Sequence, residues 1–141
     1  MNPKVVLIDD DYGPMEFYVK ALESRGFEVE QIDSCDAAFQ WLDGPIASDP
    51  ALVVVDIMLP PGTHLTLEET DGGLSSGVFI ARKVRERFPN VPVVALTNLN
   101  DSDVLSQLPK DVDVKAKFET SPFQFADFVA LMGTSVTKQH R

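Results

Sequence analysis

Cysteine, basic residues and long apolar runs are all scarce in this sequence. A single cysteine, Cys35, excludes an intramolecular disulfide and suits a reducing compartment. No apolar run approaches membrane-spanning length, and the chain turns acidic at Asp9 before a signal-like apolar region could form. We therefore expect a cytoplasmic protein without membrane insertion.

The shortage of basic residues also limits the classes of partner. Lysine and arginine number 12 against 22 acidic residues, which gives a formal net charge of -10. This charge has the wrong sign for a surface that binds nucleic acid directly, and it disfavours anionic membranes. With 141 residues, of which 44% are hydrophobic, the chain is expected to form one domain around one core.

Short apolar runs alternate with segments of helical periodicity along the chain. The predicted strands are 5–8, 27–32, 52–55, 93–96 and 112–116. The predicted helices are 15–25, 37–42, 78–88, 102–107 and 122–133, the last having Pro122 in its first turn and Gly133 as its end. This alternation predicts an α/β fold, an open doubly wound sheet with right-handed crossovers and helices on both faces.

Acidic side chains stand where two of these strands end. Asp9, Asp10 and Asp11 follow the first apolar run, and Asp56 follows Leu52-Val53-Val54-Val55. Ligands of parallel sheets collect at the carboxyl ends of the strands, and neighbouring strands lie about 4.8 Å apart. Two carboxylates at ~4 Å repel by about 4 kcal/mol at an effective dielectric of ~20. The cluster must therefore hold protons or bind a hard cation, with Mg²⁺ favoured over Zn²⁺ by the oxygen-only ligands.

The segment between Asp56 and the third helix, residues 57–76, is too long for an ordinary strand-to-helix connection. Its polar, glycine-bearing composition indicates a surface loop near the carboxylate cluster. Loops of this length are usually either functional or disordered, and the sequence leaves both readings open. His64 within it is expected to be a solvent-exposed loop residue.

The chain from Lys4 to about Met132 resembles the receiver domain of two-component response regulators. The features that carry the resemblance are Asp9-Asp10 after the first strand, Asp56-Ile57-Met58-Leu59-Pro60 after the third, Leu96-Thr97-Asn98 after the fourth and Lys117 after the fifth. The resemblance implies a flavodoxin-like sheet with strand order 2-1-3-4-5. It also implies that the protein is phosphorylated by a sensor histidine kinase or a histidine phosphotransfer protein, and that it signals by binding a downstream protein target.

The resemblance assigns roles to particular residues. Asp56 would accept the phosphoryl group, Asp10 and Asp56 would bind Mg²⁺ directly, Asp9 would act through a bound water, and the backbone carbonyl of Met58 would complete the set. Lys117 would neutralise phosphoryl charge and the Thr97 hydroxyl would donate to a phosphoryl oxygen. Lys117 is preferred to Lys115 because it stands at the very end of the strand. Asp11 is expected to be a solvated loop or capping residue.

The sequence departs from the family pattern at several positions. Phe118 follows Lys117 where receivers usually have proline, and Val114 stands where many have the aromatic residue that swings inward on activation. The segment 99–110 is short and contains Pro109, so the fourth helix is expected to be reduced.

Two alternatives to a phosphorylated receiver remain at this point. One is a receiver-fold interaction module that is never phosphorylated, and the other is a phosphatase of the haloacid dehalogenase type, which also uses an aspartate nucleophile after its first strand. The favoured prediction is a stand-alone, chemotaxis-like receiver over residues 1–133 with a frayed tail at 134–141. Such a protein would catalyse its own phosphorylation and dephosphorylation without turning over a separate substrate.

Overall fold

The computed structural model describes residues 2–70, 72–73, 75–117 and 119–139. Ten elements follow one another as alternating strands and helices: β1 (Lys4–Ile8), α1 (Tyr12–Ser24), β2 (Glu28–Ile32), α2 (Cys35–Asp43), β3 (Leu52–Val55), α3 (Ser76–Arg87), β4 (Val93–Thr97), α4 (Ser102–Leu105), β5 (Asp113–Ala116) and α5 (Pro122–Gln139). All strand pairs are parallel, in the order β2-β1-β3-β4-β5. The predicted doubly wound sheet and its strand order are confirmed.

The sheet is apolar on both faces because successive residues of a strand point to opposite sides. Val6 and Ile8 of β1 belong to an apolar cluster that includes residues of α2 and α3 and Val104 of α4, whereas Val5 and Leu7 belong to the cluster beneath α1 and α5. The central strands β1, β3 and β4 are therefore covered on both sides. β5 lies at the edge and is more open, which leaves Val114 41% exposed.

The predicted helix ends were less accurate than the predicted strands. α1 begins at Tyr12, three residues before the predicted start, and α4 is a single turn capped by the Asp101 side chain. Gly133 does not end α5, which continues to Gln139. A glycine inside a helix costs only about 1 kcal/mol relative to alanine, so it does not end a helix by itself. The division into a domain at 1–133 and a frayed tail stays a prediction.

Helices α1 and α5 pack side by side over one face. Tyr18 packs edge-on against Phe125, and its hydroxyl donates a hydrogen bond to the Thr120 carbonyl at 2.7 Å. Arg25 at the end of α1 pairs with Asp127 of α5. These contacts hold the start of α5, and with it the segment after β5, against the body of the domain. No helix within the part of the chain that the structure describes combines the length and apolarity needed to cross a bilayer.

Candidate functional site

The carboxyl ends of β1 and β3 bring the predicted acidic residues together. The Asp56 amide donates to the Ile8 carbonyl at 2.9 Å, so the two strand ends stay paired up to the acids. Carboxylate oxygens of Asp9, Asp10 and Asp56 lie within 4.8 Å of one another. β1 lies between β2 and β3, which makes this edge the point where strand order reverses.

Lys117 reaches into the cluster from the end of β5. Its Nζ lies 2.7 Å from Asp9 Oδ2 and 3.2 Å from Asp56 Oδ2, and all three side chains are buried. A backbone hydrogen bond holds Lys117 beside β4, because the Lys117 amide donates to the Thr97 carbonyl. Lys115 instead places its ammonium 4.4 Å from the centre of the Phe128 ring. The choice of Lys117 over Lys115 thus agrees with the geometry, while Phe118 lies outside the described residues.

Asp56 is held by backbone and side-chain donors. The Met58 amide donates to Oδ1 at 3.1 Å, and Lys117 binds Oδ2. Thr97 is buried at the end of β4, and its hydroxyl accepts a hydrogen bond from the Leu99 amide. Met58 lies two residues beyond Asp56 and is exposed. The predicted residues therefore all meet at one edge of the sheet.

Burial dominates the electrostatics of the cluster. It raises the pKa of Asp9 to about 6, although Lys117 opposes the shift, and it also raises the pKa of Asp56 against the pull of Lys117 and Thr97. Burial by itself would lower the pKa of Lys117, but its hydrogen bonds and charge interactions with Asp9 and Asp56 outweigh this and raise it. Lys117 therefore carries its proton at neutral pH. One lysine faces three carboxylates, so negative charge remains in excess.

A cavity of roughly 330 Å³ opens at this edge of the sheet. Its walls are formed by Asp10, Asp11, Asp56, Met58, Asn98 and Lys117. Among the described residues, no hydrogen-bond donor contacts the exposed Asp10 carboxylate, although Asp10 lines the cavity. Oxygen donors, excess negative charge and open space fit a hard divalent cation.

Sequence reasoning missed three residues around the site. Asn98 lines the cavity, yet it entered the prediction only as part of a motif. The Gln31 side chain donates to the Asp9 carbonyl at 2.9 Å. Gly77 lies against the Asp56 backbone, where an added Cβ would collide with the Asp56 carbonyl oxygen. A glycine at a helix start was visible in the sequence, but the backbone it approaches was not.

The long segment after Asp56 is attached to α2. Asp36 Oδ1 accepts hydrogen bonds from the Thr63 amide at 2.8 Å and the Thr63 hydroxyl at 3.1 Å, and His64 Nδ1 also lies 3.1 Å away. His64 stacks on Phe39 with ring centres 5.0 Å apart and is exposed, as predicted. Gly62 has φ 70° and leaves no room for a Cβ beside Asp36. The described part of the segment is thus ordered by specific contacts, which the sequence did not predict.

Comparison with known proteins identifies relatives that match most of the chain. No family model matches it. The chain is 30% identical over 133 residues to the response regulator receiver protein CpdR of Brucella abortus (strain 2308), covering 89% of this chain and 90% of that protein. It is also 30% identical over 96 residues to the photosynthetic apparatus regulatory protein RegA of Rhodovulum sulfidophilum, covering 68% of this chain but only 44% of RegA.

Solved structures share the same fold. A CheY-like response regulator receiver domain protein from Methanospirillum hungatei JF-1 superposes with a TM-score of 0.74 at 15% identity, covering 99% of each chain. A response regulator receiver protein from Sinorhizobium medicae WSM419 gives a TM-score of 0.74 at 21% identity, covering 96% of this chain and 97% of that one. At these identities the structural likeness describes the fold alone.

The contact between Gly77 and Asp56 leads to a first prediction. In Gly77→Ala the new methyl group would collide with the Asp56 carbonyl and with Ile57 Cα, so α3 must move away. We expect a loss of about 1–3 kcal/mol in the free energy of unfolding, measured by urea titration. Gly13→Ala in α1 is the matched control, because a Cβ there meets nothing within 4 Å. Equal stability of Gly77→Ala and wild type would contradict the close approach.

The raised pKa of Asp9 leads to a second prediction, for protein without divalent ions. The unfolded chain releases this proton near pH 3.8 and the folded chain only near pH 6. Between these values the folded state binds more protons, so the contribution of Asp9 to stability falls as pH rises. Urea titrations at pH about 4 and about 6.5 should show the stability of Asp9→Asn rising relative to wild type over this interval. If the difference in stability between Asp9→Asn and wild type did not change with pH, the pKa of Asp9 would not be raised.

Proposed function

We propose, from the premise that this chain belongs to the receiver domains of two-component response regulators, that Asp56 is the residue that accepts the phosphoryl group. The observation that carries the proposal is the Asp56 carboxylate itself, which lines the cavity while Lys117 binds one of its oxygens. Family membership removes the dehalogenase-like phosphatase from consideration, and the receiver-fold module that is never phosphorylated becomes an outcome of the experiment below.

We assign a Mg²⁺ site to Asp9, Asp10, Asp56 and the Met58 carbonyl, with Asp9 acting through water. When bound, the ion would supply positive charge to the phosphoryl oxygens and relieve the repulsion among the carboxylates. The grouping of the three carboxylates supports this assignment. The cavity wall at Asp10 supports it further, because a carboxylate without hydrogen-bond donors among the described residues is available to a cation.

The only bond that the protein forms during phosphoryl transfer is the one between Asp56 and phosphorus. An Asp56 oxygen attacks the phosphorus of a phosphohistidine, the P–N bond breaks, and its electron pair leaves with the imidazole, which takes up a proton. Water later attacks the acyl phosphate, so that inorganic phosphate departs and the carboxylate returns. Catalysis of such a step rests mainly on positioning and electrostatic stabilisation.

We assign that stabilisation to Lys117 and Thr97. The Lys117 ammonium already lies 3.2 Å from Asp56 Oδ2, so it can follow the charge onto the transferred group. The Thr97 hydroxyl can donate to a phosphoryl oxygen while its own oxygen keeps the Leu99 amide. Both side chains are buried, which strengthens their electrostatic effect.

The proposal extends to the partners and the compartment. A sensor histidine kinase or a histidine phosphotransfer protein would donate the phosphoryl group, and a downstream protein would read the phosphorylated state by direct binding. Both processes belong in the cytoplasm. The protein would catalyse only its own phosphorylation and dephosphorylation, and the exposed Val114 at the aromatic position speaks against signalling by an inward-swinging ring.

The assignment of the acceptor predicts a specific covalent change. Incubated with Mg²⁺ and acetyl phosphate, wild type should gain the mass of one phosphoryl group, and Asp56→Ala should gain none. Asp49→Ala, which removes an exposed acid before β3, is the matched control and should be modified like wild type. Intact-mass spectrometry provides the readout. Modification of Asp56→Ala at the wild-type rate would place the acceptor elsewhere, and no modification of any variant would favour the unphosphorylated module.

The ion site makes a separate prediction about stability. Mg²⁺ should raise the thermal midpoint because it binds the folded state. At a hundredfold excess over its Kd, it should add ~2.7 kcal/mol to the free energy of unfolding. Asp10→Ala should lose most of this gain, and it should also be more stable than wild type without Mg²⁺ because one repulsive charge is gone. Thermal unfolding with and without the ion measures both effects. An unchanged Mg²⁺ response would remove Asp10 from the ion site.

A further inference from the structure

The three carboxylates of the cluster are not held equally. Asp9 accepts a hydrogen bond from the Asp11 amide and pairs with Lys117, and Asp56 accepts from the Met58 amide and from Lys117. Asp10 has no comparable support, since none of the described residues donates to its carboxylate. The direction of its side chain therefore depends on the backbone that carries it.

That backbone is held by a side chain from β2. Gln31 Nε2 donates a 2.9 Å hydrogen bond to the Asp9 carbonyl, which belongs to the peptide group joining Asp9 to Asp10. The strand register ends one residue earlier, with Ile8 opposite Ile32, and the last backbone bond runs from the Asp9 amide to the Ile32 carbonyl. The Gln31 amide thus extends the pairing of β1 and β2 past the register and fixes the plane of this peptide.

We propose that Gln31 is a positioning residue for the cation site, acting on Asp10 through the Asp9 carbonyl. The inference rests on the proposed function, because it assumes that Asp10 binds Mg²⁺. Mg²⁺ requires ligand oxygens at about 2.0–2.1 Å in near-ideal octahedral geometry. If the Asp9-Asp10 peptide could rotate freely, the Asp10 carboxylate would often lie away from the position that this geometry requires. Groups that orient metal ligands commonly change affinity when they are removed.

The position of Gln31 supports a role beyond strand stability. Its side chain is half-buried at the end of β2, whereas Val29, two residues earlier on the same face, packs against the apolar cluster beneath α1 and α5. Val29 therefore contributes packing and Gln31 contributes a directed hydrogen bond. A substitution at each position separates the two effects within one strand.

The experiment compares Gln31→Met, which keeps the length of the side chain but cannot donate, with Val29→Ala, which removes packing only. The Kd of Mg²⁺ is measured from the dependence of the thermal midpoint on ion concentration. We expect the Kd to rise about tenfold in Gln31→Met, the low end for loss of an orienting group. In Val29→Ala the midpoint should fall at every Mg²⁺ concentration while the Kd stays within about twofold of wild type.

A kinetic measurement distinguishes weaker Mg²⁺ binding from a general loss of phosphorylation activity. The rate of phosphorylation by acetyl phosphate at saturating Mg²⁺ should be close to wild type in Gln31→Met, because excess ion compensates for the weaker site. Gln31→Thr provides a second variant that suits a strand but is too short to reach the carbonyl, and it should show the same shift in Kd.

The outcomes separate the inference from the proposed function. If wild type shows no response to Mg²⁺, the ion site itself fails. If wild type responds and both Gln31 variants keep its Kd within about twofold, Gln31 does not position the site. An equal rise in Kd for Val29→Ala and Gln31→Met would also overturn the inference, because it would reflect general loosening of β2.

Discussion

The contact of the Lys117 ammonium with Asp9 and Asp56 is the interaction on which the site depends. All three side chains are buried, and a buried charge left without its partner commonly costs about 3–5 kcal/mol. Lys117 therefore allows two acids to remain close together where little water reaches them. It does not balance the third, Asp10, and the remaining negative charge makes the cluster one that could bind a cation. The same lysine holds both of these carboxylates in place.

The sheet supplies the geometry for this contact. Asp9, Asp56 and Lys117 follow β1, β3 and β5, and β4 between the last two contributes Thr97. A parallel sheet covered on both faces brings these four strand ends to one edge. Helix α3 fits closely only because Gly77 has no side chain, so the loop that starts at Asp56 is held between β1 and α3.

The long segment after Asp56 borders the site, and its described residues do not cover the cavity. Its first turn is held on α2 by the bonds of Thr63 and His64 to Asp36, and Leu59 is buried in the core. Beyond Met58, none of its described residues lines the cavity. Asp56 therefore stays open to the cavity, while the described part of the segment adds surface beside α2.

The sequence by itself determined the fold class, the strands and the acids at their ends, because burial on both faces demands continuous apolar runs and the carboxylates stand where those runs stop. It predicted helix ends poorly, as Gly133 shows, because the packing of a helix outweighs the small cost of one glycine. Only the tertiary structure decided that Lys117 reaches both acids, that Gln31 holds the Asp9 carbonyl, that Gly77 leaves room for Asp56 and that Asp36 anchors the long segment. Each of these contacts joins residues at least 20 positions apart in the sequence. Such residues meet only because of how the strands and helices pack, which no local sequence pattern reveals.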